Sequence, residues 1–308
     1  MRCKVKTVKI DQIVERFSMT VLNKASEEQV AITSDLNRVG LQLAGHFDYF
    51  SPERIQIMGQ SELSFYNSLP EKKKYDVMDR LMSEEFLCLI ITRNMDVPSE
   101  LVELAKKYQR TILVTPKATT RFISQLTDFL ENCLAPTKTV HGVLVDVYGV
   151  GVLLLGKSGI GKSETALELI KRGHRLIADD AVEVKKLPDG VLEGRAPELI
   201  RNFLEIRGIG ILDIAKLYGI GSVRNYKKIE LVVNFKEWAD NETYDRLGME
   251  QEYMTILDQE VATLDIPVKP GRNLAIILEA AARNHKQKLE GYNAAIELDS
   301  RLQTQMNG

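Results

Sequence analysis

One segment of the sequence matches the GxxxxGK[ST] pattern of a phosphate-binding loop, between an apolar run at residues 152–155 and a predicted helix at residues 164–171. Its glycines let backbone N–H groups approach phosphate oxygens, and the helix start adds a partial positive charge there. We expect Lys162 to contact the β- and γ-phosphates and the Ser163 hydroxyl to bind Mg²⁺, as in a nucleotide-binding protein. The loop residues are Gly156, Lys157, Ser158, Gly159, Ile160, Gly161, Lys162 and Ser163.

Two adjacent carboxylates, Asp179 and Asp180, follow the next predicted strand, at residues 174–178. In an α/β sheet the ligand lies beyond the carboxyl ends of the strands, so we expect both side chains to face the phosphates. One could help to hold Mg²⁺, and the other could accept a proton from an attacking hydroxyl. An ordinary polar turn at the end of a strand is the alternative interpretation.

Two further segments place charges beside glycine or proline. In residues 203–213, FLEIRGIGILD, Glu205 and Arg207 interrupt an apolar run, where buried charge is costly unless it is paired or binds a ligand. The sequence does not decide between ligand binding by these two residues and a structural ion pair between them. In residues 267–272, PVKPGR, Lys269 and Arg272 project from a segment that two prolines make rigid. That segment is either a surface loop or a phosphate clamp.

The elements that must position these residues alternate between strand and helix. Strands are predicted at residues 54–59, 86–92 and 111–114, with helices from 61, over 98–107 and over 119–132. This order predicts a parallel sheet.

A break at residues 135–138 separates an N-terminal domain, 1–134, from a catalytic domain, 135–308. The predicted fold class is therefore α/β with two domains, of which the first shows no chemical motif and receives no role. In the second domain, strands are predicted at residues 140–145 and 152–155 and a helix at 273–288. Residues 303–308 are predicted to be frayed.

Composition excludes several classes of protein. The 41 Lys and Arg against 43 Asp and Glu leave no basic excess for a nucleic-acid partner. The longest apolar runs are far shorter than the roughly 20 residues of a membrane span, and the first residues lack a secretory signal. Three widely spaced cysteines indicate neither a disulfide framework nor a zinc site. We therefore expect a cytoplasmic protein with no membrane or nucleic-acid partner.

Four motifs in order resemble the HPr kinase/phosphorylase family of Gram-positive bacteria. They are NRVGLQLAG from residue 37, VHGVLVDVYGVGVLLLGKSGIGKSETALELIKRGHRLIADD from residue 140, FLEIRGIGILDI from residue 203 and PVKPGRN from residue 267. The resemblance extends over the entire chain. It implies a C-terminal P-loop kinase domain similar to the nucleotide-binding core of phosphoenolpyruvate carboxykinase. The sequence has no HRD or DFG motif of a eukaryotic protein kinase.

The resemblance implies a bifunctional enzyme. Such proteins use ATP, and in some members pyrophosphate, to phosphorylate one serine of HPr, the small phosphocarrier of the sugar phosphotransferase system. They also reverse the modification with inorganic phosphate and release pyrophosphate. Carbon catabolite repression depends on that balance. The resemblance further implies Mg²⁺ or Mn²⁺ as the cofactor and a homohexameric assembly.

The resemblance also assigns residues that spacing left open. His141 would otherwise be taken for a structural strand histidine and Arg246 for a surface cation. The active-site positions of the family fall on His141, Lys162, Asp180 and Arg246, and its metal positions fall on Ser163 and Glu205. Asp180 would take the serine proton in the forward direction and return one in reverse. FLEIRGIGILD falls on a stretch used in both reactions, and the PVKPGR segment with Lys269 and Arg272 on one tied to phosphorolysis.

Two other functions compete with this interpretation. One is a small-molecule kinase of carboxykinase-like fold, and the other is a GTP-dependent regulatory switch that transfers no phosphoryl group. The switch is disfavoured because no NKxD guanine-reading motif is present. The segment NKAS at residues 23–26 lacks the Asp and lies in the first domain.

Overall fold

The computed structural model describes residues 6–238, 251–269 and 271–306. The predicted site residue Arg246 and the loop residue Pro270 lie outside these ranges. The chain divides into two compact units, Met1–Ala135 and Pro136–Gly308. Each unit combines strands with helices, so the predicted two-domain α/β fold class is confirmed.

The first unit is built on a five-stranded sheet. β1 and β3 pair separately, and the other strands form this sheet. The strands of the unit are β1 (Val8–Lys9), β2 (Thr20–Asn23), β3 (Val30–Ala31), β4 (Leu36–Arg38), β5 (Ile55–Met58), β6 (Cys88–Ile91) and β7 (Thr111–Val114). Its helices are α1 (Ile10–Phe17), α2 (Gly40–Leu43), α3 (Gln60–Ser68), α4 (Glu71–Ser83), α5 (Ser99–Lys107) and α6 (Thr119–Leu134).

The sheet order is β2-β7-β6-β5-β4, and β4 to β7 run parallel, as predicted. All residues of β5, β6 and β7 are buried, because helices cover both faces of the sheet, and all are apolar or sulfur-bearing except Gln56 and Thr111. Residues of α2 to α5 pack in one core, and residues of α1 and α6 pack in the other.

The second unit carries the phosphate-binding motif. Its strands are β8 (Thr137–His141), β9 (Val143–Val147), β10 (Val150–Gly156), β11 (Arg175–Ala178), β12 (Ala181–Lys186), β13 (Leu192–Arg195), β14 (Phe203–Ile206), β15 (Gly210–Asp213), β16 (Tyr226–Lys228), β17 (Leu231–Glu237), β18 (Glu252–Ile256) and β19 (Gln259–Val268). Its helices are α7 (Lys162–Lys171), α8 (Ile214–Tyr218), α9 (Leu274–Leu289) and α10 (Ala294–Met306), with 3-10 turns at Glu198–Ile200 and Ile220–Ser222.

The main sheet of this unit has the order β11-β9-β10-β17-β19-β18, in which β10, β17 and β19 run parallel. An antiparallel sheet, β16-β13-β12-β8, and the β14–β15 hairpin complete it. Alternate residues of β10 serve two cores: Val152 and Leu154 pack with α7 and α9, whereas Leu153 packs with residues of β12 and β13. The carboxyl ends of β10, β17 and β19 therefore meet at one edge of the sheet.

Two predictions for this unit are wrong. The strand predicted at residues 140–145 is interrupted at Gly142, because β8 and β9 belong to different sheets. The chain is also not frayed over residues 303–306, since α10 continues to Met306, and residues 307 and 308 lie outside the described ranges. Pairs one turn apart support that last helix: Arg301 Nε lies 2.7 Å from Glu297 Oε1, and Gln303 donates to Asp299 over the same distance.

None of the helices in the described ranges has both the length and the apolar character that crossing a bilayer requires.

Candidate active site

The phosphate-binding loop connects the end of β10 to the start of α7. Gly156 has a positive φ of 143°, and a Cβ there would lie 2.7 Å from the carbonyl oxygen of Phe235 on β17. Only glycine avoids both the strain and the clash. The first glycine of the motif is therefore required at the point where the loop leaves the sheet. The predicted strand, loop and helix are all present, with α7 starting two residues earlier than predicted, at Lys162.

The Lys162 side chain lies beneath this loop and is 7% exposed. Its Nζ donates to the carbonyl oxygens of Gly156 and Lys157, at 2.9 and 3.0 Å. These contacts hold the ammonium group of Lys162 inside the turn of the loop. A phosphate oxygen would be a stronger, charge-assisted acceptor than either carbonyl.

Asp179 connects the two residues that were predicted to bind metal. Ser163 Oγ donates to Asp179 Oδ1 at 2.9 Å, and the backbone N–H of Glu205 donates to Asp179 Oδ2 at 3.0 Å. Asp179 is only 5% exposed. Burial raises the pKa of its carboxyl group, although these hydrogen bonds oppose the rise. Both oxygens are therefore occupied within the protein.

Asp180 has the opposite environment. Its side chain is 67% exposed, and its Oδ1 lies 3.0 Å from Nδ1 of His141, the last residue of β8. The turn that separates the two carboxylates is tight, with Asp180 at a φ of 65° and the N–H of Ala181 bonded to the Asp179 carbonyl oxygen. One carboxylate is thus buried, and the other faces solvent beside an imidazole.

The β14–β15 hairpin carries two charged side chains, Glu205 on β14 and Arg207 in the turn that follows the strand. Leu204 and Ile206 point into the core, whereas both charged residues are exposed. Arg207 Nη2 donates to Ser158 Oγ at 2.9 Å. The ion pairs among the described residues do not include one between Glu205 and Arg207, so the structure does not support the alternative of a structural pair. The two charges instead turn towards the phosphate loop.

These side chains line one small cleft, of about 100 Å³. Its lining residues are His141, Val143, Ser158, Gly159, Gly161, Lys162, Ser163, Glu164, Asp179, Asp180, Glu205 and Arg207. The structure therefore brings together every predicted catalytic and metal residue except Arg246, which is not described, and Lys269 and Arg272. Arg207 also lines the cleft. The sequence placed it in a stretch tied to both reactions but gave it no role of its own, and its spacing of two residues from Glu205 was the available signal.

Lys269 and Arg272 follow β19 at the same edge of the sheet as the loop, outside the lining of the cleft. Lys269 Nζ lies 5.0 Å from the centre of the Trp238 ring, a cation–π contact. Arg272 Nη1 donates to the carbonyl oxygen of Pro267 at 2.9 Å. Both cations are thus held by contacts with residues of their own edge of the sheet.

Comparison with known proteins shows which family this chain belongs to. The sequence matches the models for the HPr Serine kinase N terminus over residues 8–130 and the HPr Serine kinase C-terminal domain over residues 132–302. The HPr kinase/phosphorylase of Caldanaerobacter subterraneus subsp. tengcongensis is 53% identical over 97% of this chain and 98% of its own length. That of Bacillus cytotoxicus is 48% identical, over 96% of each chain. The solved HPr(Ser) kinase/phosphatase of Coxiella burnetii is 34% identical, with a TM-score of 0.47, and covers 52% of this chain and 98% of its own.

Proposed function

This chain belongs to the HPr serine kinase family, and we propose that it phosphorylates a serine of HPr with ATP and removes the phosphoryl group again with inorganic phosphate. One observation carries the proposal: a phosphate loop, a buried carboxylate and an exposed histidine–carboxylate pair line a single cleft. Near-complete coverage by relatives named HPr kinase/phosphorylase supports both directions of the reaction.

In the forward direction, the HPr serine oxygen attacks the γ-phosphorus of ATP. A new O–P bond forms, the bond to ADP breaks, and the serine proton passes to the Asp180 carboxylate. The exposure of Asp180 supports this role, since a serine on another protein must reach the base. Asp179 is the poorer candidate because both of its oxygens are already bonded. His141 would orient the Asp180 carboxylate.

In the reverse direction, an oxygen of inorganic phosphate attacks the phosphorus of phosphoserine. A P–O–P bond forms, the serine oxygen leaves with a proton from the protonated Asp180, and the products are HPr and pyrophosphate. One carboxylate then serves both reactions. Because phosphorolysis is the reverse of phosphorylation by pyrophosphate, microscopic reversibility requires the same group for that pair of reactions. The loop N–H groups and Lys162 would hold the phosphates in each case.

The cleft residues fit a Mg²⁺ or Mn²⁺ ion. The Ser163 hydroxyl and the Glu205 carboxylate are hard oxygen donors, and Asp179 bonds to both residues. Among the described residues there is no cluster of three or more His, Cys, Asp or Glu that could hold a metal alone. Mg²⁺ usually keeps waters and phosphate oxygens as ligands, so two protein oxygen donors would be enough to hold it beside a bound phosphate. The ion would neutralise charge on the phosphate oxygens.

Four finer features belong to the proposal. Lys269 and Arg272 would hold the incoming inorganic phosphate during phosphorolysis, and their position at the loop's edge of the sheet supports this. Pyrophosphate would serve as an alternative donor, because the same loop can bind it. The chain would act in the cytoplasm as a homohexamer. Exposed apolar side chains on α10, at Ile296, Leu298 and Leu302, are a surface that a second copy could cover.

A phosphotransfer assay with γ-labelled ATP and purified HPr tests the proposal. We expect the label on HPr, at a serine, and its loss when inorganic phosphate is added. A small-molecule kinase would leave HPr unlabelled, and a nucleotide-dependent switch would hydrolyse ATP without labelling any acceptor. Either of those results contradicts the proposed function.

A further inference from the structure

A cavity of about 670 Å³ lies in the second unit, at the opposite edge of the main sheet from the phosphate loop. Ile229, Glu230 and residues 259–262 line it where β17 and β19 begin, whereas the loop lies where the parallel strands end. Ligand pockets in proteins have volumes of roughly 300–1,000 Å³. None of the described residues that line this cavity also lines the cleft of the phosphate loop. The cavity therefore has the size of a ligand pocket and is separate from that cleft.

His285 of α9 is a buried polar residue in the lining of this cavity. The buried residues Ala275, Leu278, Ala282 and His285 follow a helical repeat, so the histidine continues the face of α9 that packs into the core. His285 is only 8% exposed. Within the described residues, its ring nitrogens have no hydrogen-bond partner, and the side chain lines the cavity. A buried polar group without a partner costs free energy, which a ligand in the cavity would recover.

The other polar residue on the buried face of α9 has a different environment. Glu279 accepts from Arg172 Nε at 2.9 Å and lies 2.9 Å from His174 Nε2. Its burial is therefore compensated within the protein. The helix thus pairs one of its two buried polar side chains and turns the other, His285, towards open space.

The charges around His285 determine what kind of group fits beside it. Burial lowers the pKa of its imidazole; Glu230 opposes this effect, and Lys288 and Lys228 lower the pKa further. The ring is therefore neutral at pH 7 and offers one N–H donor and one acceptor. Glu230 is already engaged, since its Oε2 accepts from the N–H of Gly151 at 3.1 Å. A neutral donor between two ammonium groups suits an anion.

The amount of charge in the cavity favours a single carboxylate over a phosphate group. The charged residues of its described lining are Lys228, Lys288, Asp189, Glu230 and Glu260. A doubly charged phosphate would meet an excess of acidic residues, whereas a monoanion can bind between the two lysines. Lys288 Nζ lies 3.5 Å from Gln251 Oε1, an amide oxygen that is a weaker acceptor than a carboxylate. A carboxylate can therefore replace this contact.

The remainder of the lining suits an apolar group. Leu192, Ile229 and Val261 are buried, line the cavity and belong to one core cluster of the second unit. Contact with these side chains would remove an apolar part of a ligand from water. The cavity thus combines a cationic side with an apolar wall.

We infer that this cavity binds a small organic monocarboxylate that carries an apolar group. The carboxylate lies between Lys228 and Lys288 and accepts a hydrogen bond from the His285 ring, and the apolar group contacts the apolar wall. The inference goes beyond the proposed function and does not depend on it, because the cavity and the cleft share no described lining residue.

Equilibrium dialysis of the full chain with radiolabelled hexanoate tests the inference. We expect saturable binding of one hexanoate per chain. Acetate, which lacks the apolar part, and hexanol, which lacks the charge, should each compete at least about 10-fold more weakly than unlabelled hexanoate. Inorganic phosphate should not displace hexanoate, because the acidic residues of the lining repel a dianion.

Variants of the two lysines locate the binding site. Lys228→Met and Lys288→Met should each weaken hexanoate binding by about 10- to 100-fold, the effect of losing one charge-assisted hydrogen bond. Lys286→Met is the matched control, because Lys286 is an exposed lysine of α9 outside the described lining, and it should bind as wild type.

His285→Leu distinguishes a binding role from a structural one. The variant should be no less stable than wild type in chemical denaturation, because leucine replaces a buried polar group that has no partner, yet it should bind hexanoate more weakly. A large loss of stability in His285→Leu would overturn the inference, as would the absence of saturable binding. Equal competition by hexanol, displacement by phosphate, or wild-type affinity in both lysine variants would do the same.

Discussion

At the scale of single residues, burial distinguishes two carboxylates that the sequence could not. Asp179 and Asp180 are neighbours of one residue type, and both follow a strand that ends near the phosphate loop. Their positions in the sequence therefore predict that both face the cleft. They do not predict which carboxylate accepts the proton and which supports the metal site. The hydrogen bonds of Asp179 to Ser163 and to the Glu205 backbone, and the contact of Asp180 with His141, come from segments distant in sequence.

The buried ammonium of Lys162 leads to a first prediction. Lys162→Ala should lower kcat in both directions by about 10²- to 10³-fold, because both pass through a phosphoryl group held by the same loop. The measurement is the initial rate of HPr phosphorylation and of phosphorolysis at saturating substrate. Lys171→Ala, at the exposed end of the same helix, is the control and should match wild type. Near-normal kinase activity of Lys162→Ala would mean that this loop is not the catalytic phosphate site.

At the scale of elements, apolar runs were the most predictable. The strand predicted at residues 111–114 coincides with β7, and the helix predicted over residues 119–132 ends two residues later, at Leu134. Contacts between distant elements were not predictable. Glu279 on α9 accepts from Arg172 Nε at 2.9 Å and lies 2.9 Å from His174 Nε2, although 107 and 105 residues separate these partners. Charged residues at such separations carry no periodic signal.

That contact ties the helix after the phosphate loop to α9 and predicts a pH-dependent stability. The hydrogen bonds and charge of Arg172 lower the pKa of Glu279 to about 2, from 4.5. Because the unfolded chain takes up the proton more readily, the stabilisation is complete above pH 4.5 and is lost as the pH falls towards 2. Glu279→Gln should lower the free energy of unfolding at pH 7 by about 1–3 kcal/mol.

Chemical denaturation at pH 7 and at pH 3 checks this prediction. The variant should lose less stability than wild type between the two pH values, since it lacks the titrating carboxylate. Glu297→Gln is the matched control, because its ion pair with Arg301 on α10 is exposed and should contribute no more than about 0.5 kcal/mol. An equal change in the free energy of unfolding for the two substitutions would show that the Glu279 contact stabilises the protein no more than an exposed ion pair.

Lys269 and Arg272, which follow β19, lead to a prediction about the balance between phosphorolysis and phosphorylation. Phosphorolysis brings an anionic inorganic phosphate against an anionic phosphoserine, so it needs more positive charge than attack by a neutral hydroxyl. Lys269→Ala or Arg272→Ala should therefore reduce phosphorolysis far more than ATP-driven phosphorylation. Both initial rates are measured on one preparation while the phosphate concentration is varied. Equal losses in the two directions would return these residues to a structural role.

At the scale of the whole molecule, family membership extends over both units, with matches at residues 8–130 and 132–302. The described residues that line the cleft all belong to the second unit. The sequence allowed the reaction to be predicted because four motifs occur in a fixed order. Neither motif order nor composition could predict that Arg207 would cross from the hairpin to Ser158, since that contact depends on the packing of β14 against the loop.

The central claim is that one cleft, with Asp180 as its proton carrier, runs both reactions. The most direct test measures initial rates of HPr phosphorylation and of phosphoserine-HPr phosphorolysis for wild type, Asp180→Asn and Asp179→Asn. We predict that Asp180→Asn lowers both rates by at least about 10²-fold, the usual contribution of a positioned base, while ADP affinity stays near wild type. Retention of either reaction by Asp180→Asn, with loss of both in Asp179→Asn at unchanged ADP affinity, would contradict the account.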